Sequence, residues 1–296
     1  PVSNFTFKTM ASGCVLEFPI EDDCHIFGFG LQLKQFDHRG RKLRLDVNAD
    51  PVAPDGESHA PVPFFVSSKG YGAFINSARY IKAYVGTGVR KDTKNPPEVQ
   101  ARNTDPGWSA QPYSDNLEFL VPAEGVEVVL FAGQDMQDVV RRFNLFNGGG
   151  VLPPKWGLGF WHRVPTLFTD RQVQDEIAEF RKRGFPLTVI GLEPGWMSRA
   201  YPCTYEWDAT RFPEPGKFVN DLLQKHIRTN LWFNPGVSPE CEIRDAIEPY
   251  TASHTEWNGL IPDYRMPEAR RIMLDHFKKH QLDMGVSGYK MDENDG

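Results

Sequence analysis

Gly285-Val-Ser-Gly-Tyr-Lys-Met-Asp-Glu-Asn-Asp-Gly296 is the stretch on which the fold turns. A short apolar run ends abruptly in Lys290 and three acidic residues, Asp292, Glu293 and Asp295. Just upstream, Glu268 to Leu282 has the pattern of a helix. A buried strand that follows a helix and opens into charge at its C-terminal end is where an α/β barrel keeps its chemistry. Lys290 and Asp292 stand two residues apart, hence on the same side of a strand. A cation so placed holds the carboxylate ionised. An isolated Lys-x-Asp is also what a strand end meeting water looks like, so the neighbouring segments must decide.

Working back from it, strand and helix alternate. Gly157 to Trp161 reads as a strand, Asp170 to Arg183 as a helix with Val173, Ile177 and Phe180 on one stripe, and Gly184 as its terminator. Pro186 to Leu192 is a second strand, Lys217 to His226 a second helix, and Thr229 to Phe233 a third strand. The Glu268 helix then leads to the fourth, Val286 to Met291. Such repetition builds a parallel sheet with right-handed crossovers. An open dinucleotide-binding sheet is disfavoured, because no Gly-x-Gly-x-x-Gly follows any strand.

Residues 1 to about 134 have a different texture. Lys42 to Val47 alternates polar and apolar; Phe64–Val66 and Tyr71–Ile75 flank the turn-rich Ser67-Ser-Lys-Gly70. A second hairpin is expected between Leu117–Val121 and Val126–Phe131 across Pro122-Ala-Glu-Gly125. Short strands with Gly and Pro punctuation imply a sandwich. Arg90 to Gly107 reads as a long loop. Asp135 to Phe146 is an amphipathic helix, and Asn147-Gly-Gly-Gly150 with Pro153-Pro154 marks the boundary. The expected organisation is an N-terminal β-sandwich (1–134), a linker helix (135–150) and the first half of a (β/α)₈ TIM barrel (151–296). Four strands are about half of such a barrel, so the chain is expected to be a fragment truncated after the fourth barrel strand, with an exposed sheet edge.

Composition bounds the function. A net charge of −6 argues against nucleic acid, and no apolar run is long enough to cross a bilayer. The four cysteines are scattered without a Cys-x-x-Cys, so neither a zinc framework nor a disulfide scaffold is signalled. No cofactor is indicated, and no signal-peptide pattern is present, which leaves localisation open.

Each barrel strand ends in polar or aromatic residues: Trp161-His162-Arg163, Glu193-Pro-Gly-Trp-Met197, Trp232-Phe-Asn234 and Lys290-Met-Asp292. In a barrel these ends share one face and line one pocket. The strings resemble glycoside hydrolase family 31. Pro153-Pro-Lys-Trp-Gly-Leu-Gly-Phe-Trp161 is similar to that family's opening strand, and Glu206-Trp-Asp208 with Phe212-Pro213 to its Glu-Trp-Asp, Phe-Pro segment. Leu231-Trp-Phe-Asn-Pro235 resembles the third-strand motif, Pro262-Asp-Tyr with Pro267-Glu-Ala269 its Asp-Phe-Thr-Asn-Pro stretch, and Gly288-Tyr-Lys-Met-Asp292 the nucleophile strand. Pro63 to Gly72 is family-like within the sandwich.

The resemblance implies a retaining exo-acting α-glycosidase that hydrolyses terminal α-linked sugars, with an oligosaccharide or glycoside as partner. Asp292 takes the place of the nucleophile that forms a covalent glycosyl-enzyme. Lys290, Trp232, Glu193, Trp196, Trp257 and Asp295 are the implied substrate-binding set, with Trp232 as a subsite wall. The second carboxylate, the proton donor, comes in this family from a later strand. No residue here is assigned that role, and residues 1–296 alone are expected not to turn over substrate. In α-glucosidases the second strand ends Leu-Asp-x-Asp; here it is Leu192-Glu193-Pro-Gly195. Losing one acceptor and opening space there leans the reading toward an α-galactoside or its N-acetyl amino analogue, with α-glucoside or α-xyloside as the alternative.

Two rivals stand beside this. Asp292, Glu293 and Asp295 could hold a divalent cation with Lys290 as base, although adjacent strand residues point apart. His276 and His280 have the spacing of a metal pair but lack a zincin glutamate, and are expected to be solvated. The second rival is a sugar-binding protein without turnover, since fold does not fix function.

Overall fold

The computed structural model describes residues 5–48, 51–53, 55–92, 98–110 and 113–293. They form two compact units that part between Val151 and Leu152.

In the first unit the strands are β1 (Thr6–Met10), β2 (Gly13–Pro19), β3 (Ile26–Gly30), β4 (Arg41–Leu45), β5 (Pro61–Ser67), β6 (Tyr71–Asn76), β7 (Ile81–Thr87), β8 (Tyr113–Val121) and β9 (Glu127–Ala132). They make two antiparallel sheets, ordered β1-β2-β8-β7-β4 and β3-β5-β6-β9. Alternation decides what faces inward. Leu117, Phe119 and Val121 of β8 and Leu16 and Phe18 of β2 are buried against Phe65 and Ile75 of the other sheet. Phe119 lies 5.8 Å from Phe65, ring centroid to ring centroid. Burial of each such ring stabilises the sandwich by about 2–3 kcal/mol.

The β5–β6 hairpin forms, with Phe64 opposite Phe74. The second expected hairpin does not: β8 pairs with β2 and β7, whereas β9 pairs with β6 in the other sheet. Pro122 to Gly125 is therefore a corner between sheets. The local pattern is the same in both cases, because inward-facing residues alternate whether the next strand lies beside or opposite. The helix expected as a linker, α1 (Met136–Phe146), is capped by Asp135, whose side chain accepts from the Asp138 N–H. It docks on β5, β6 and β9, with Phe143 stacked on Phe64 at 3.8 Å and Val139 fully buried.

The second unit holds β10 (Phe160–Arg163), α2 (Asp170–Lys182), β11 (Leu187–Leu192), α3 (Pro215–Gln224), β12 (Arg228–Phe233), the short α4 (Arg244–Ile247), α5 (Pro267–His280) and β13 (Gly288–Met291). The strands form one parallel sheet in the order β10-β11-β12-β13, the pattern of a partial barrel. Gly157 and Leu158, expected in the first strand, lie instead in a 3-10 turn, where the Gly157 N–H donates to Pro154 O. The two prolines start that turn, and the strand begins three residues later than the apolar pattern suggests. Thr169 and Gln172 cap α2 reciprocally, which supplies donors and acceptors at its open end. Val173 and Ile177 of α2, Phe218, Val219 and Leu222 of α3, and Ala269 and Met273 of α5 share one core with Ile190, Leu192, Leu231 and Phe233.

Candidate active site

Because alternate residues of a strand face opposite ways, helix-facing Leu231 and Phe233 leave Asn230 and Trp232 on the other side of β12. Trp232 is in register with Lys290, and Gly191 with both Arg163 and Asn230. Gly191 matters for what it lacks: a Cβ there would stand 2.6 Å from Arg163 Nη1. Without one, the guanidinium crosses β11 and donates to Asn230 Oδ1 at 2.8 Å. Arg163 also donates to Leu192 O and is ion-paired with Glu193. Glu193 Oε2 lies 3.8 Å from Lys290 Nζ, and Lys290 lies 2.8 Å from Asp292 Oδ2. Three of the four strand ends thus carry an alternating row: Arg163 on β10, Glu193 after β11, and Lys290 and Asp292 at the end of β13.

Asp292 ends the row. Its N–H donates to Phe233 O, which extends the β12–β13 pairing by one residue. Its Oδ2 accepts from Lys290 and, at 2.8 Å, from the Trp232 indole N–H. Lys290 first, and Trp232 after it, hold the carboxyl below its ordinary range against the opposing effect of burial. A carboxylate so held is a charged oxygen ready to attack an electrophilic carbon.

The tryptophans divide. Trp196, expected to touch substrate, is 1% exposed; its N–H donates to Trp232 O and its ring packs on Trp207, so it belongs to the core. Trp232 is equally buried, and Tyr201 covers it at 5.1 Å, so its described part is the N–H rather than an open stacking face. Trp257 is about half exposed beside the Tyr201 ring, 5.5 Å away. Asp295 lies outside the described residues.

Tyr201 was missed from the sequence. Its hydroxyl donates to Glu293 Oε2 at 2.6 Å, and burial together with that carboxylate pushes the phenol up. It sits on the loop between β11 and α3, where no periodicity marks it. Asn234 was noted only as part of a strand end; its amide donates to Glu293 O and so steadies the backbone after Asp292.

Gly195 differs from expectation. A Cβ there would meet Thr166 O at 1.9 Å, so the missing side chain is replaced by backbone and opens no space. Arg211, ion-paired with Asp208 at 2.7 Å, donates to Gly195 O at 2.6 Å and holds this turn in place. A cleft of 460 Å³ lies here, lined by Thr166, Glu193, Gly195 and Tyr201 among others.

Of the three acidic residues of the metal rival, Asp295 lies outside the described residues and the other two have different partners, Asp292 with Lys290 and Glu293 with Tyr201. Among the described residues, the trios of ligand atoms close enough to hold an ion lie elsewhere and both include His276. That histidine is not solvated as expected: it is 2% exposed and bonded to Thr204 O and Glu242. The flank of α5 that carries it is covered by the segments around Thr204 and Glu242, which the helical spacing could not reveal.

Comparison with known proteins agrees with this geometry. Residues 150–296 match the glycosyl hydrolases family 31 TIM-barrel domain. The chain is 24% identical over 281 residues to an α-xylosidase of Emericella nidulans, covering 90% of this chain and 33% of the relative. It is 25% identical over 312 residues to α-glucosidase 2 of Bacillus thermoamyloliquefaciens, covering 98% and 36%. A family 31 dextranase of Flavobacterium johnsoniae, solved with isomaltotriose, superimposes with a TM-score of 0.76 at 20% identity, over 96% of this chain and 34% of that one. The chain therefore spans about a third of the length of these relatives. The sequence strings, the parallel sheet with its charged strand ends and these likenesses agree: the chain belongs to glycoside hydrolase family 31.

Proposed function

We propose that this chain supplies the nucleophile half of a retaining α-glycosidase acting on terminal α-linked sugars. The observation that carries it is Asp292, at the C-terminal end of a parallel strand, held ionised by Lys290 and by the Trp232 N–H. In the first step Asp292 attacks the anomeric carbon as the leaving oxygen is protonated; water then releases the sugar. Lys290 and Glu193 are suited to bind hydroxyls beside it. Neither nearby carboxylate suits the proton donor's role: Glu193 sits between two cations, and Glu293 accepts from Tyr201. The donor is therefore proposed to come from a later strand of the whole protein. Incubating the full-length protein with a slow fluorinated α-glycosyl fluoride should leave a sugar-sized mass increment on the peptide containing Asp292. An increment elsewhere, or activity undiminished in Asp292→Asn, would overturn the assignment.

For the sugar, we lean to an α-galactoside or its N-acetyl amino analogue. Position 195 offers no acceptor, and Glu193 is committed to Arg163, so the grip expected for glucose is altered. Thr166 O fills the place beside Gly195, so no extra room for a sugar opens there. The names of the relatives, α-xylosidase and α-glucosidase, favour the second reading, an α-xyloside or α-glucoside. Rates of the full-length protein on the matched nitrophenyl α-glycosides separate the two, and a clear glucoside or xyloside preference ends the galactoside lean.

A further inference from the structure

One flank of α5 gathers a second set of groups. His276 and His280, one helical turn apart, both face Glu242, which lies in the segment between β12 and α4. His276 Nδ1 is 3.1 Å from Glu242 Oε1, and His280 Nε2 is 2.9 Å from the same oxygen. The other nitrogen of His276, Nε2, lies 3.1 Å from Thr204 O. A neutral imidazole carries one N–H. If Nε2 holds it, Thr204 O is satisfied and the Nδ1 lone pair abuts a carboxylate oxygen. If Nδ1 holds it, the lone pair abuts the carbonyl. Either tautomer leaves one repulsive contact in a side chain with no solvent exposure. Burial acts against the alternative, a charged imidazolium.

A cation among the three ligand atoms removes the conflict. We propose that Glu242, His276 and His280 form a binding site for a divalent transition cation, zinc first among them. Four ligands at 2.0–2.1 Å in a tetrahedron stand about 3.3 Å apart, close to the 3.1 and 2.9 Å from Glu242 Oε1 to the two histidines, and all three ligand atoms lie within 4.8 Å of one another. Thr204 O then plays the part that a backbone carbonyl commonly plays for a metal-bound histidine, accepting the distal N–H and fixing the ring. Two imidazoles and one carboxylate favour zinc, cobalt or nickel over magnesium or calcium. Glu242 and His280 remain partly open to solvent, which leaves a side for a water as fourth ligand. Lys279 Nζ, 2.9 Å from both Glu242 oxygens, is the competitor. Its side chain is 62% exposed, so it can swing into water when a cation enters. Cys241 stays outside the set, since its thiol donates to Thr204 O and approaches His276 only at the committed Nε2. The ion would tie α5, which leads into β13, to the segment that follows β12.

The test titrates zinc chloride, and separately cobalt chloride, into the chelator-treated full-length protein by calorimetry and visible absorption. We expect one equivalent at micromolar affinity or tighter, with the intense visible bands of low-coordinate cobalt. His280→Ala, checked for folding by circular dichroism, should weaken binding at least tenfold. Lys279→Met should tighten it, and gives an answer even if His280→Ala fails to fold. Absence of binding, affinity unchanged in a folded His280→Ala, or affinity unchanged in Lys279→Met would each overturn the site. So would proton NMR showing His276 doubly protonated at neutral pH in protein with added zinc.

Discussion

Each unit places a carboxylate on a sheet, and the two are driven in opposite directions. Glu118 of β8 lies between Leu117 and Phe119 in sequence but on the opposite face, where it is 6% exposed. Burial, and then the like charge of Glu17, raise its carboxyl to about 7, with Arg90 only partly offsetting them. Asp292 is less buried and meets a cation and an indole N–H directly, so its carboxyl falls. The same functional group becomes neutral-prone in one place and firmly anionic in the other. The difference lies in what stands within hydrogen-bond reach, not in depth alone. Across strands Glu118 stands opposite Glu17 of β2 and Tyr84 of β7, neither of which supplies a cation. At the C-terminal edge of a parallel sheet four strand ends converge, and opposite charges can alternate.

The largest effect should come from removing the anion itself. Asp292→Asn in the full-length protein should cost on the order of 10⁴-fold in kcat/KM, about 5 kcal/mol of barrier, with little change in Tm. Steady-state kinetics beside a melting curve check both halves. Lys290→Met removes the cation that dominates the shift. The acid limb of the pH–rate profile should then move to higher pH, with kcat/KM lower by roughly 10–100-fold. A limb that stays in place would mean that Lys290 does not set the ionisation of Asp292.

The contrasting carboxylate supplies the third expectation. A raised carboxyl stabilises the fold where both states are protonated, and that contribution is lost as pH rises from the unfolded value near 4.5 through about 7. Glu118→Gln should therefore match the parent near pH 4 and exceed it above pH 7 by about 3 kcal/mol, read from urea denaturation at the two pH values. A constant difference would show that packing rather than ionisation is responsible. The smallest effect belongs to Trp232→Phe, which removes one donor to Asp292 and keeps the ring. The acid limb should move in the same direction as for Lys290→Met, but by less, since Lys290 is the larger cause.

Much of this was legible in one dimension. Helix stripes such as Val173 and Ile177, the terminator Gly184 and the Lys290–Asp292 spacing are local, and local physics set them where they were read. The corner after Val121 was misread because a hairpin and a crossing to the opposite sheet share one alternation. Trp196 was misassigned because a tryptophan at a strand end has the same letter whether its N–H meets a sugar or Trp232 O. Tyr201 lay on a loop with no period to mark it.

By itself the sequence determined the class of fold and the anionic strand end, because side-chain periodicity and a two-residue spacing act over a few ångströms of chain. Only the tertiary structure decided that Thr166 O fills the place beside Gly195 and that Glu242 faces His276 and His280. Each of those contacts joins segments about thirty residues or more apart, and only the packing of strands against helices brings them within bonding distance.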